Sequence, residues 1–229
     1  MKQVLQFLQE LAANNNREWF LAHKEEYLKA KETFDAFAEK LIAKVSEFDP
    51  TIEGLQAKDC TYRIYRDVRF SKDKSPYKTH MGCYICRGGK KSGYSGYYFH
   101  IATDEGDVYP TGHMLAVGDY CTDSKALLIL REDIAAGEGD FEQIIGKAAE
   151  EGFRMDESFK MKRPPKGFND QTPYLELIKY KSYCLVSEPT TKEILSNDLV
   201  ENVAMKFKSA KPFLDYINRA IEYVKEGND

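Results

Sequence analysis

The chain has no apolar run near the about 20 residues that a helical membrane span requires. Its opening residues, Met1-Lys2-Gln3-Val4-Leu5-Gln6, lack the uninterrupted apolar core of an export signal, so a cytoplasmic protein is expected. Cysteine is scarce: five residues, an odd number, which fits a reducing compartment and excludes a disulfide framework. Excess positive charge is missing too. With 33 Lys and Arg against 37 Asp and Glu the net charge is -4, which argues against a surface coated for nucleic acid. No repeat, low-complexity tract or linker interrupts the 229 residues, so one domain over residues 1–229 is expected. What is present is globular: 42% hydrophobic, 13% aromatic and 31% charged residues, enough apolar material for a core.

Several motifs fall short of the chemistry they suggest. Cys83-Tyr84-Ile85-Cys86 spells CxxC, but no second ligand pair follows for a structural metal, and its flanks predict a strand, where a redox motif opens a helix. No HExxH spacing is present, so no metal ligands are assigned. Gly88-Gly89-Lys90-Lys91-Ser92-Gly93 has the composition of a phosphate loop without its GxxxxGK[ST] order, and it is expected between two strands. The SxxK spacings at Ser71–Lys74 and Ser75–Lys78 lie in a polar turn, where lysine is a poor base.

Periodicity predicts the elements. Val4, Phe7, Leu8 and Leu11 recur at helical spacing over 2–13, and Asn16 is a natural N-cap for the next helix. That second helix is predicted as one long element to Phe48, with an apolar stripe that includes Phe20, His23, Tyr27, Phe34, Phe37, Leu41 and Val45. His23 on this stripe reads as a packed core histidine. From residue 61 the period becomes two: Tyr62, Ile64, Val68 and Phe70 on one side, Arg63, Tyr65, Asp67 and Arg69 on the other, with Arg66 on the apolar side. Further strands are predicted over 81–87, 95–103, 107–115 and 182–187, with Tyr97 to Met114 a hairpin around Asp104–Asp107. With Glu105-Gly106 as a two-residue turn, Phe99, Ile101, Val108 and Met114 share the core face, and Tyr98, His100, Tyr109, Thr111 and His113 the other. A three-residue loop would flip one strand. Helices are predicted over 122–136, 139–151 and about 197–225, the last kinked or split by Pro212.

Charge is concentrated in one place. Over 58–80, Lys58, Arg63, Arg66, Arg69, Lys72, Lys74 and Lys78 face only Asp59, Asp67 and Asp73, a balance of +4 that leaves -8 for everything else. Arginine grips phosphate or carboxylate with paired hydrogen bonds, so this segment is a candidate anion site. Arg63, Arg66, Arg69, Lys72, Lys74 and Lys78, with Tyr98, are the candidate ligand-binding residues, and His100, His113 and Asp67 the candidate acid–base groups. The competing reading is structural: Arg63, Asp67 and Arg69 as an ion-pair ladder.

At these residues the chain resembles a known family. Asn15-Asn16-Arg17-Glu18-Trp19-Phe20, then Arg63 through His80, then Gly96-Tyr97-Tyr98-Phe99-His100, then Lys162-Arg163-Pro164-Pro165-Lys166-Gly167-Phe168 follow in order. The pattern is similar to that of the bacterial domain-of-unknown-function 2461 family of conserved hypothetical proteins. The resemblance spans essentially the whole chain, implies a single-domain soluble protein and assigns no activity or cofactor. The Cys83/Cys86 pair is not part of that pattern.

The fold expected is α+β, a mainly antiparallel sheet with N- and C-terminal helices packed on one face and the Arg/His face open. The function expected is binding of an anionic small ligand on that face, with or without catalysis. The alternative is a non-catalytic module docking nucleic acid or an acidic protein through the basic turn, with nucleic acid the weaker case. No membrane partner is expected. Cofactor and oligomeric state stay open.

Overall fold

The computed structural model describes residues 1–103, 112–119, 123–158 and 160–227. In chain order the helices are α1 (Lys2–Ala13), α2 (Arg17–Ala22), α3 (Lys24–Ser46), α4 (Ala57–Cys60), α5 (Ser124–Ala136), α6 (Phe141–Glu150), α7 (Leu175–Ile178), α8 (Thr191–Ile194) and α9 (Leu199–Glu226). The strands are β1 (His80–Ile85), β2 (Gly96–Ala102), β3 (Met114–Gly118), β4 (Arg154–Met155) and β5 (Cys184–Ser187). They form one antiparallel sheet in the order β1-β2-β3-β5-β4, so the protein is α+β with helices at both termini. Arg154 pairs with Val186 and Met155 with Leu185. Among the described residues no helix is long and apolar enough to cross a membrane.

Contacts group the chain into two compact units, each assembled from three stretches. The first comprises 1–90, 98–115 and 188–204. α1 forms where Val4, Leu5, Phe7, Leu8 and Leu11 put one buried stripe on a helix. Asn14 ends it, and Asn16 caps α2 by accepting from Trp19 N–H at 2.9 Å. The single long helix predicted next is broken at His23, whose backbone closes α2 and opens α3. His23 is half-buried, its ring stacked on Trp19 at 4.1 Å and its Nδ1 2.8 Å from Trp19 O. It is a helix-junction histidine, not a member of the core stripe. α3 then buries Phe34 and Phe37 against Phe99 of β2, at 6.3 and 4.5 Å between ring centroids.

The second unit comprises 91–97, 116–187 and 205–229. Its aromatic centre is Phe141, which meets Phe213, Tyr216 and Tyr183 at 5.6, 4.7 and 5.7 Å. Gly118 passes so close to the next strand that a Cβ there would lie 2.2 Å from Tyr183 O, so no other residue fits. The 2–13, 122–136 and 139–151 helices form within a few residues of their predicted limits. α9 runs unbroken through Pro212, in contrast to the predicted kink or split. Buried Phe207, Ala210, Phe213, Leu214 and Ile217 continue at helical spacing across the proline, and that packing outweighs the missing N–H. The short strand β4 had no sequence signal.

The strand predicted at 61–70 does not form. Thr61 bridges Cys83 and Tyr65 bridges Tyr77, both antiparallel. Four residues on one side therefore oppose six on the other, a mismatch no regular ladder accommodates. The apolar side predicted for this stretch splits accordingly: Ile64 is buried, but Tyr62 is 44% and Phe70 97% exposed. For the hairpin predicted over 97–114, residues 104–111, with the Glu105-Gly106 turn, Val108, Tyr109 and Thr111, lie outside the described residues, as does Cys121.

Candidate functional site

In the first unit β2 alternates as expected. Phe99 faces α3, while Tyr98 and His100 face the other way. Tyr98 lies flat across β1 because residue 82 is glycine: a Cβ there would meet Tyr98 Oη at 2.6 Å. The same hydroxyl lies 3.0 Å from His100 Nδ1. His80, at the start of β1, stacks on His100 with ring centroids 4.4 Å apart and planes at 15°. The face expected to be open is closed at its centre. His100 is fully buried and His113 is 6% exposed.

The two histidines proposed from sequence as an acid–base pair have different surroundings. Ala102 N–H donates to His113 Nδ1 (3.3 Å), which puts the His113 proton on Nε2 and directs it to Thr191 Oγ1 (3.2 Å). His113 thus ties β2 to α8 with both ring nitrogens engaged. His100 Nε2, by contrast, is buried with no hydrogen-bond partner among the described residues, whichever way the Tyr98 bond runs. Burial, with His80 and His113 nearby, pushes the His100 pKa well below its ordinary value. Burial, then Lys78 and Arg66, push His80 down to about 4. Both rings are neutral at pH 7.

The basic residues separate into two groups. Arg66 is ion-paired with Asp73, whose carboxyl is held down to about 2 by the Ser75 hydroxyl and N–H and by Arg66. Arg69 is held by both oxygens of Asp67, through Nε at 2.9 Å and Nη2 at 2.6 Å, and the pair is exposed. Lys74 donates to Val68 O at 3.0 Å. Asp67 is therefore an Arg69 partner at the surface, away from the stacked imidazoles. Lys72 projects into solvent.

Arg63 and Lys78 form the second group. Neither forms an ion pair among the described residues, although the Arg63 charge helps to lower the Asp67 carboxyl. Lys78 is half-buried with its Nζ 5.3 Å from the centre of the Tyr62 ring. Burial and then the Arg63 charge lower its pKa. The chain holds it there through Lys78 N–H to Ile64 O (2.8 Å) and through Asn15. The Asn15 amide accepts from Tyr77 N–H at 3.1 Å and donates to Tyr77 O at 2.9 Å. Lys78 thus lies over Tyr62, Tyr62 meets the Tyr98 ring at 6.5 Å, and Tyr98 reaches the buried His100. His80 and Tyr62 are not among the residues singled out from sequence, which places Tyr62 on the apolar side and gives His80 no role. The place of His80 at the start of a strand, two before a glycine that admits Tyr98, was the available signal.

The CxxC thiols are both buried, and Cys86 Sγ donates to Gly89 O at 3.2 Å. Cys60 and Cys83 share a thiol hydrogen bond that lowers the former and raises the latter. Tyr62 above them is pushed up to about 12, by burial and then by these thiols. Among the described residues no group of three His, Cys, Asp or Glu is placed to hold a metal ion.

An α+β protein with a stacked histidine pair at the end of a basic segment is the class that fold and site define. The chain belongs to the family described as Conserved hypothetical protein (DUF2461), which it matches over residues 3–216. Comparison with curated proteins and with solved structures finds no significant match.

Proposed function

We propose that the protein binds a small phosphate- or carboxylate-bearing ligand at Arg63, Lys78 and His80. The observation that carries this reading is the pairing of Arg63 and Lys78 without a carboxylate. The charge of exposed Arg63 acts on half-buried Lys78, and an anion between the two would offset that repulsion. Arg66 and Arg69, by contrast, already have carboxylate partners and add little grip. Below the cations, His80 and His100 are neutral, so each offers a hydrogen bond without adding charge. His100 Nε2 is the buried polar atom that a ligand group or an ordered water would satisfy. Tyr98 fixes the His100 ring. Proton transfer through His80 belongs to the same reading, with a base weakened by its surroundings. A reducing, cytoplasmic setting fits the buried free thiols Cys60, Cys83, Cys86 and Cys184.

Thermal shift against inorganic phosphate, sugar phosphates, nucleotides and dicarboxylates tests the proposal. A ligand at 100 times its dissociation constant adds about 2.7 kcal/mol of stability. Lys78→Met and Arg63→Ala should each abolish the shift and leave the unliganded melting temperature unchanged or higher, since each relieves like-charge repulsion. Absence of any hit, or a hit that survives both substitutions, refutes the site.

A further inference from the structure

The basic segment has a second surface that the anion site leaves unused. From Arg66 to Pro76 the chain makes a loop closed at its base by the Arg66–Asp73 ion pair. Its polar groups are spent on one another. Asp67 holds Arg69, Lys74 donates to Val68 O, Ser71 N–H reaches the same carbonyl at 3.4 Å, and Asp73 accepts from Ser75 N–H and Oγ. The loop is braced from within, yet its largest apolar side chain points outward: Phe70 is 97% exposed, with the Arg69 guanidinium 5.9 Å from its ring centre. A ring presented on a braced loop loses little freedom on contact, which is how an anchor for a partner is built.

Charge selects the partner. Between 62 and 78, Arg63, Arg66, Arg69, Lys72, Lys74 and Lys78 face only Asp67 and Asp73, six against two, or +4 in a chain of net charge -4. Tyr62 and Tyr65 in the same stretch are 44% and 49% exposed. Exposed aromatic rings in a segment whose cations outnumber its carboxylates suit single-stranded nucleic acid, whose bases offer flat faces and whose backbone is anionic at every step. A duplex keeps its bases stacked inside. A bilayer suits the loop less: Ile64 is buried and Val68 half-buried, leaving one ring to insert, flanked by the Asp67 and Asp73 carboxylates. We propose that the 66–76 loop docks single-stranded nucleic acid, with Phe70 stacked on a base and Lys72 at a neighbouring phosphate.

Fluorescence anisotropy of the intact protein with a labelled oligothymidylate of about 12 nucleotides, at about 50 and about 200 mM salt, tests this. Binding should weaken with salt and exceed binding to a duplex of equal length. Phe70→Ala should weaken it about tenfold and Phe70→Trp restore it. Because Phe70 is exposed, its replacement leaves the fold and any phosphate-induced thermal shift intact, so this proposal and the small-anion site fail separately. No binding at the lower salt overturns the inference, as do equal affinities for Phe70→Ala and the parent chain, or a duplex bound as tightly. Phe70-dependent capture by phosphatidylserine vesicles with no Phe70-dependent oligonucleotide binding overturns it in favour of a membrane contact.

Discussion

A single imidazole shows how burial becomes a pH dependence. His80 titrates near 6.5 when unfolded and at about 4 when folded, because burial disfavours its cation and Lys78 and Arg66 repel it. Between those values the unfolded chain binds more protons, so stability rises with pH across the window and is lost as pH falls from about 6.5 to about 4. The shift corresponds to about 3 kcal/mol for a ring that is mostly buried. Asp73, also depressed, acts only below its unfolded value near 3.8 and leaves this window clear. His80→Phe, a ring of similar shape that still stacks on His100, should flatten the slope of unfolding free energy against pH between about 4 and 6.5, with His100 and, at the lower end, Glu176 contributing to what remains. Urea titrations at half-unit pH steps measure it. An unchanged slope would mean that His80 is charged in the folded protein. The same neutrality makes His80 a hydrogen-bonding group at pH 7 rather than a third cation.

At the scale of elements, the site depends on a clamp from a helix junction. Asn15, between α1 and α2, meets both backbone polar groups of Tyr77 and so fixes the residue before Lys78. Asn15→Ala leaves both without that partner and should cost about 2 kcal/mol in urea unfolding. It should also weaken phosphate-dependent stabilisation by releasing Lys78, whereas Asn16→Ala, the α2 cap, should lower stability by about 1 kcal/mol and spare binding. Equal effects on binding would show that the clamp is only structural. This interaction links residues 62 positions apart and left no trace in local periodicity. What periodicity did carry was the helix faces of α1 and α3 and the alternation of Tyr98, Phe99 and His100 along β2, since each depends on neighbours within a turn or a strand. Alternation misread 61–70 because the partner strand carries two extra residues there, and a bulge is a property of two strands together. The charge excess of the basic segment was visible in the sequence. Which cations are already neutralised depended on how the loop folds: Asp67 and Asp73 turned back onto Arg69 and Arg66, and Arg63, Lys72, Lys74 and Lys78 were left without an ion pair among the described residues.

At the scale of the whole chain, the two compact units interleave in sequence, and this decides what can be cut. The first 90 residues hold α1 to α4 and β1, the longest stretch of the first unit and the basic segment with Lys78 and His80. They look like a natural fragment, but they lack 98–115 and 188–204. Without 98–115, Phe34 and Phe37 lose Phe99, His80 loses the ring it stacks on, and Gly82 has no Tyr98 to receive. Exposing two α3 phenylalanines forfeits about 3–6 kcal/mol of burial, comparable to the net stability of a domain of this size. A fragment of residues 1–90 should therefore keep helical far-ultraviolet circular dichroism, since α1 and α3 have strong local patterns, while losing the near-ultraviolet aromatic signal and any cooperative melt. A sharp, cooperative transition in that fragment would show that the first unit closes without β2. The match to the family runs from residue 3 to 216 and so includes all but the first two residues of the first unit.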